Sequence, residues 1–283
     1  MPVDAAELVK RIGDLPPFPA VAMKAIRLSE DPNSSARELQ SVIAKDQALT
    51  ARVLRIVNSA MFSFQREIST LSHAVSILGI KTVRSIIVAA SIEDMFSSGG
   101  QQSSGLAHQV LWQHAWGAAQ AARVLSNAIR YHNPEEAFTA GLLHDIGKMV
   151  LLQNFPRPYA EIINRVSRKE TTFAGAEMEM FGFTHAQVGS LATAKWTFPK
   201  QIVEAILYHH DSPKATAYAK LAAVVSLANS MMIYLGIGFE RDSSVKLDEA
   251  PSTQFLLLNG NLLRPLVEEI RLTISKNQNK TSV

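Results

Sequence analysis

The sequence predicts an all-helical protein made of two packed helical bundles. Apolar residues recur at helical spacing along most of the 283 residues, and no stretch alternates apolar and polar residues over the length of a strand. A polar segment rich in glycine and serine, residues 97–105, separates the helical segments into two groups. We therefore expect an N-terminal helical bundle at residues 1–99 and a second bundle, with a C-terminal helix, at residues 100–283.

The first half begins with helices that prolines separate. Val3–Ile12 has the spacing of a short amphipathic helix, and the three prolines within residues 15–19 must end it, because proline has no amide donor. Helical spacing resumes at Ala20–Leu28. The sequence Asp31-Pro32-Asn33 then predicts a turn before the next helix.

Capping residues predict where the remaining helices of this half begin. Ser35 and Glu38 have the spacing of a capping box, in which each side chain accepts a hydrogen bond from an otherwise unpaired amide. Asp46 is a second predicted N-cap, because apolar residues on one helical face follow it. Residues 71–96 predict two further helices that are hinged at Gly79.

Glycine, proline and capping residues also delimit the helices of the second half. Pro134 fits the first turn of a helix that carries His144, whereas Pro156 and Pro158 are expected to break the chain before the next helix. Residues 236–251 lack helical spacing and predict a polar loop. The other predicted helices lie at residues 106–129, 159–168, 173–180, 184–196, 200–209, 215–235 and 262–274.

The composition excludes several classes of protein. No apolar run approaches the ~18 residues that span a bilayer, and the first residues have no secretory pattern, so we expect a cytoplasmic protein without a membrane partner. The net charge is only +3 and the basic residues are dispersed, which does not support nucleic-acid binding. Because cysteine is absent, histidine and carboxylate must hold any metal, and such ligands suit Fe, Mn or Zn.

The adjacent His144 and Asp145 lie within an apolar run, residues 140–147, which predicts that both are buried. Buried and unpaired, each side chain would carry a desolvation cost, so each needs a partner. A divalent cation accepts both imidazole nitrogen and carboxylate oxygen as ligands. The alternative is a structural hydrogen bond between the two side chains near a helix end, with Gly147 ending the helix.

Four further histidines lie on predicted helices and are candidates for the same site. His114 precedes His144 by 30 residues, which is enough for a helical hairpin to bring the two together. A single histidine on a helix is more often a satisfied core or surface residue, but the combination favours convergence on one or two divalent metal ions. The other candidate ligands are His185, His209 and His210.

The order of these residues resembles that of the ligands in the HD superfamily of metal-dependent phosphohydrolases, and especially its HD-GYP branch. Motifs in the first half narrow the resemblance to the HDOD family, the HD-related output domain of bacterial signalling proteins. It covers about residues 12–212. The motifs that carry this resemblance are residues 15–19, residues 46–59, Leu78-Gly79, His144-Asp145 with Gly147-Lys148, and residues 181–189.

The resemblance implies that the second bundle is HD-like and that the protein has a regulatory role in a bacterial cytoplasm. It further implies metal ligation by His114, His144, Asp145, His185, His209 and His210. Asp145 and Lys148 would be the catalytic residues of any hydrolysis, with Lys148 meeting a phosphate.

Two departures from the HD-GYP pattern bear on activity. Asp211 follows His210 where an HD-GYP enzyme has a Gly-Tyr-Pro motif, which argues against cyclic-dinucleotide hydrolysis. Asn229 stands where the last ligand is usually aspartate, and an amide oxygen brings no negative charge to a metal.

Two functions therefore stay open. The first is a signalling protein with a degenerate metal site, which passes a conformational signal to a protein partner. The alternative is a metal-dependent phosphohydrolase that acts on a nucleotide or another phosphate ester.

Overall fold

In the computed structural model of the protein, the residues described are 10, 15, 17–30, 35–59, 62, 64, 67–98 and 105–278. These residues form helices and no strand, which confirms the predicted all-helical class. The predicted helix at residues 3–12, apart from Lys10, and the predicted turn at residues 31–33 lie outside the described residues, and so does most of the predicted linker.

Four helices with defined bounds precede the predicted linker in the described residues, and two of them begin as their capping residues indicate. Ser35 and Glu38 form the capping box, with the Glu38 amide donating to the Ser35 side chain at 3.2 Å. The Asp46 side chain accepts from the Leu49 amide at 2.9 Å. The helices are Ala20–Glu30 (α1), Ala36–Ile43 (α2), Gln47–Val57 (α3) and Leu71–Ser98 (α4).

The long helix α4 contains the predicted hinge. Gly79 has φ 79° and ψ 161°. These values lie outside the helical region, and glycine adopts them without steric cost because it has no Cβ atom. The α4 segment Leu71–Met95 is long and apolar enough to cross a membrane, but 56% of its apolar 18-residue window is buried inside the protein. A buried core helix of a soluble protein has the same composition.

Ten helices and one turn of 3-10 helix follow the linker in the described residues. They are Gly105–Ala128 (α5), Pro134–Leu143 (α6), Ile146–Asn154 (α7), Pro156–Ser167 (α8), Phe173–Phe181 (α9), His185–Lys195 (α10), Lys200–Leu207 (α11), the 3-10 turn Ser212–Lys214, Ala219–Leu235 (α12), Pro251–Phe255 (α13) and Gly260–Gln278 (α14).

Several boundaries differ from the prediction, and α6 ends at Leu143 instead of carrying His144. Pro156 and Pro158 were expected to break the chain before the next helix, but they lie in the first turn of α8. Proline is tolerated there because the amides of the first helical turn have no partner within the helix. The helix predicted at residues 200–209 ends at Leu207, so His209 and His210 follow it.

Contacts divide the chain into two compact units. One contains Gly99–Ile270, and the other contains Pro17–Ser98 together with the chain from Arg271 onward. In the first of these units, α5 and α6 form a helical hairpin against which α12 packs, while α7 packs on α10. These five helices and the turn after α11 surround the candidate site.

Candidate metal centre

His144 and Asp145 lie at the junction between α6 and α7. His144 directly follows the last residue of α6, and Asp145 directly precedes the first residue of α7. Their side chains are 0% and 5% exposed. The junction thus points an imidazole and a carboxylate into the interior.

Gly147 does not end a helix, so this part of the alternative interpretation is wrong. It is the second residue of α7, where that helix packs against α10. A Cβ atom on Gly147 would lie 2.8 Å from the Gly189 amide nitrogen and closer still to the His185 carbonyl. Glycine is therefore required by the close approach of two helices, which brings Asp145 near His185.

The two oxygens of Asp145 face histidines from different helices. Oδ2 lies 3.4 Å from Nε2 of His114, in α5, and 3.3 Å from Nε2 of His144. Oδ1 lies 3.2 Å from Nε2 of His185, the first residue of α10, and 3.7 Å from Nε2 of His209. One carboxylate thus stands between two pairs of imidazoles.

His210 joins the same cluster through His185, since their Nε2 atoms are 2.9 Å apart. All six predicted ligands therefore come together. They form two groups, and the ligand atoms within each group lie within 4.8 Å of one another. One group is His114, His144 and Asp145, and the other is His185, His209 and His210.

Three of the imidazoles are oriented by hydrogen bonds from Nδ1 to backbone carbonyl oxygens. A carbonyl oxygen only accepts, so Nδ1 carries the proton in each ring and Nε2 presents a lone pair. Such bonds are the usual means by which proteins orient metal-binding histidines. They join His144 to Gly141 at 2.6 Å, His209 to Ile206 at 2.6 Å, and His114 to Ile237 at 2.8 Å.

The Nε2 lone pairs of these three imidazoles consequently face the carboxylate of Asp145. Among the described residues, Nε2 of His144 and Oδ1 of Asp145 are both buried without a hydrogen-bond partner. Acceptors that face one another repel, and a buried unsatisfied polar atom costs about 1–3 kcal/mol. A divalent cation would satisfy every one of these atoms, and nitrogen and oxygen donors suit Fe, Mn or Zn. The residues present therefore fit a metal.

Burial and charge hold His114, His209 and Asp145 in the protonation state that a metal requires. Burial lowers the pKa of His114 to about 4 and holds the pKa of His209 well below its ordinary value. Burial alone would raise the pKa of Asp145, but His144 and Lys148 lower it well below its usual range. Asp145 is thus ionised, while His114 and His209 are neutral at pH 7. Burial of His185 is outweighed by the carboxylates of Glu177 and Asp145, which raise its pKa.

Lys148 lies inside the site. Its Nζ is 2.7 Å from Oδ2 of Asp145 and 4.2 Å above the ring of Phe173, and the residue is only 4% exposed. In this arrangement the ammonium group neutralises the carboxylate directly. A phosphate would reach Lys148 only by sharing it with Asp145.

Asn229, the departure on α12, also contacts the site. Its Oδ1 lies 3.0 Å from Nε2 of His114. Asn229 therefore lies beside the imidazole of His114, at the place where the resemblance implied a last ligand.

Sequence reasoning missed Glu177, which contacts His185 from α9. It is the fully buried acid of an otherwise apolar helical segment, residues 173–178. A charged residue within such a segment, eight residues before a candidate ligand, was the available signal. The carbonyl of Ile237 left no signal, because backbone groups do not depend on residue type.

Comparisons with known proteins agree with this fold. Residues 15–212 match the HDOD domain family. The crystal structure of an HDOD domain protein of unknown function from Geobacter sulfurreducens is 28% identical, with a TM-score of 0.84, and the match covers 97% of this chain and 95% of that chain. A protein from Shewanella amazonensis, provisionally named a phosphohydrolase, is 25% identical, with a TM-score of 0.74, and the match covers 96% and 97% of the two chains.

A curated relative is longer than this chain. An uncharacterized protein from Treponema pallidum is 24% identical over 233 residues, which are 82% of this chain and 44% of that protein. The chain thus spans less than half the length of this relative.

Proposed function

Because this chain belongs to the HDOD family, as its motifs predict, we propose that it is a bacterial cytoplasmic signalling protein whose HD-like bundle holds a divalent metal centre. The bundle would present its metal-dependent conformation to a protein partner. The observation that carries the proposal is the convergence of four imidazole Nε2 atoms on the two oxygens of Asp145.

We assign one or two ions to the two groups of ligands. His114, His144 and Oδ2 of Asp145 would hold the first ion. His185, His209 and His210 would hold the second together with Oδ1 of Asp145, so that the two groups share this carboxylate. A bound divalent ion supplies positive charge and lowers the pKa of a coordinated water.

The burial of the ligands favours a regulatory centre over a catalytic one. Structural metal sites are closed by protein ligands, whereas catalytic sites keep a position open for water or substrate. Five of the six ligand residues are at most 5% exposed, and only His210 is exposed. Access from solvent would therefore have to pass His210.

A metal-dependent phosphohydrolase acting on a nucleotide or another phosphate ester is the second candidate. The ammonium group of Lys148 beside Asp145 favours it, because this cation could bind a phosphate near the metal. Asn229 opposes it, since its amide leaves the charge of the metal less compensated.

A hydrolysis screen separates the two candidates. Full-length protein loaded with Mn, Fe or Zn is incubated with nucleotides and other phosphate esters, alongside Asp145→Ala. We expect no difference in rate between the two proteins. A metal-dependent rate that Asp145→Ala abolishes and Asn229→Asp increases would instead establish the phosphohydrolase.

A further inference from the structure

A second carboxylate lies behind the metal centre, outside the predicted ligand set. Glu177 in α9 is completely buried. Its Oε2 accepts two hydrogen bonds from His185, one from the backbone amide at 2.7 Å and one from Nδ1 at 2.6 Å. Its Oε1 accepts a hydrogen bond from the hydroxyl of Tyr159, in α8, at 2.6 Å.

The hydrogen bond to Nδ1 decides which nitrogen of His185 faces the site. Because the Glu177 carboxylate accepts at Nδ1, this nitrogen carries a ring proton, and Nε2 is the nitrogen that can offer a lone pair to a metal. That Nε2 lies 3.2 Å from Oδ1 of Asp145. Of the four ligand imidazoles that Asp145 faces, His185 alone is oriented by a carboxylate, whereas the other three donate to backbone carbonyls.

We propose that Glu177 is a positioning residue of the metal centre, which orients His185 and strengthens it as a ligand, with Tyr159 holding Glu177 in place. The proposal rests on the proposed function, because it assumes a metal at the site. Carboxylates that accept from the second nitrogen of a metal-binding histidine raise the basicity of that ligand, and their removal typically weakens metal binding 10- to 100-fold.

A simpler role for Glu177 would be to cap the first turn of α10. The bond to the His185 amide could serve that purpose, but the Gln187 side chain already accepts a hydrogen bond from the Thr184 amide at this helix start. A cap also needs only the backbone amide and leaves the bond to Nδ1 unexplained. The two roles differ in what they require of the carboxylate charge.

The test is a zinc titration of the full-length protein after treatment with chelator, read by calorimetry. Glu177→Gln keeps an acceptor oxygen for both His185 donors and removes only the charge, whereas Glu177→Ala removes both. Glu179→Ala is the control, because Glu179 is 65% exposed and pairs with Arg165 at the surface. The melting temperature without metal reports any loss of folding in each variant.

We expect zinc affinity to fall about tenfold in Glu177→Gln and 10- to 100-fold in Glu177→Ala, and to change less than about twofold in Glu179→Ala. The metal-free melting temperature of Glu177→Gln should stay near that of the wild type, since its hydrogen bonds can persist. If Glu177→Ala fails to fold, the zinc affinity of Glu177→Gln alone tests the proposal.

Two results would overturn the proposal, and they are distinguishable. If the wild type binds zinc and Glu177→Gln binds it equally tightly, Glu177 is a cap and the metal centre stands without it. If the wild type binds no zinc, Mn or Fe, the proposed function and this inference fail together. Nitrogen NMR of His185 adds an independent readout, since the proposal requires a proton on Nδ1 in the zinc-bound wild type.

Discussion

His114 makes the stability of the metal-free protein depend on pH. Burial lowers its pKa in the folded protein to about 4, so between this value and ~6.5 the unfolded chain binds a proton that the folded protein excludes. Above about pH 6.5 the buried His114 costs the folded protein no stability. As the pH falls from there towards 4, the free energy of unfolding decreases by up to ~1.4 kcal/mol per pH unit. Urea unfolding between pH 7.5 and 5 measures this slope.

Two variants identify the source of this slope. His114→Leu should reduce it, although His209, whose pKa is lowered as well, keeps part of it. His132→Ala should leave it unchanged, because the His132 side chain is 75% exposed. An equal slope in His114→Leu and in the wild type would mean that His114 is not held neutral by burial.

At the residue scale, the sequence was sufficient to predict which residues converge but not what orients them. His144 and Asp145 stood out because a charged pair within an apolar run must be satisfied somewhere. The carbonyl of Ile237 that orients His114 could not be foreseen, because the two residues are 123 positions apart. Backbone groups are the same at every residue, and only the fold brings them within reach.

At the scale of helices, the site depends on how closely α7 approaches α10. Gly147→Ala would place a methyl group against the backbone of His185 and Gly189, so the two helices must separate. We expect a loss of at least ~1–3 kcal/mol in the free energy of unfolding, which is the usual cost of overpacking. Asp145 would also move away from His185, so metal affinity should fall as well.

Gly260→Ala is the matched control for this change. A Cβ atom on Gly260, at the start of α14, would meet nothing within 4 Å. Urea unfolding and a zinc titration of both variants measure the two effects. Wild-type stability and affinity in Gly147→Ala would show that α7 and α10 can adjust, and that their close contact does not position the site.

Helix boundaries were predictable where a side chain makes the cap and less so elsewhere. Ser35 and Asp46 begin their helices as expected, because each accepts a hydrogen bond from an early amide. Pro156 was misinterpreted, since proline ends a helix from within but begins one without cost. His209 and His210 lie past the end of α11, where tertiary contacts and not helical spacing place them.

For the whole molecule, helical spacing was sufficient to predict the fold class but not the arrangement of helices. The convergence of α5, α7 and α10 on Asp145 was expected from the combination of histidines with the His-Asp pair, and from the resemblance of their order to that of the HD superfamily. Spacing along one helix carries no information about which helix it meets. The division into bundles at residues 1–99 and 100–283 stays a prediction.

The proposed function requires that the whole protein retain metal as it is purified. Metal analysis of full-length protein prepared without chelator, with its melting temperature before and after adding Mn, Fe or Zn, tests this most directly. We expect about one or two equivalents of metal, lost in Asp145→Ala, and a stabilisation of ~2.7 kcal/mol once free metal reaches about 100 times its dissociation constant. Less than about a tenth of an equivalent, together with no stabilisation by any of the three metals, would contradict the proposal.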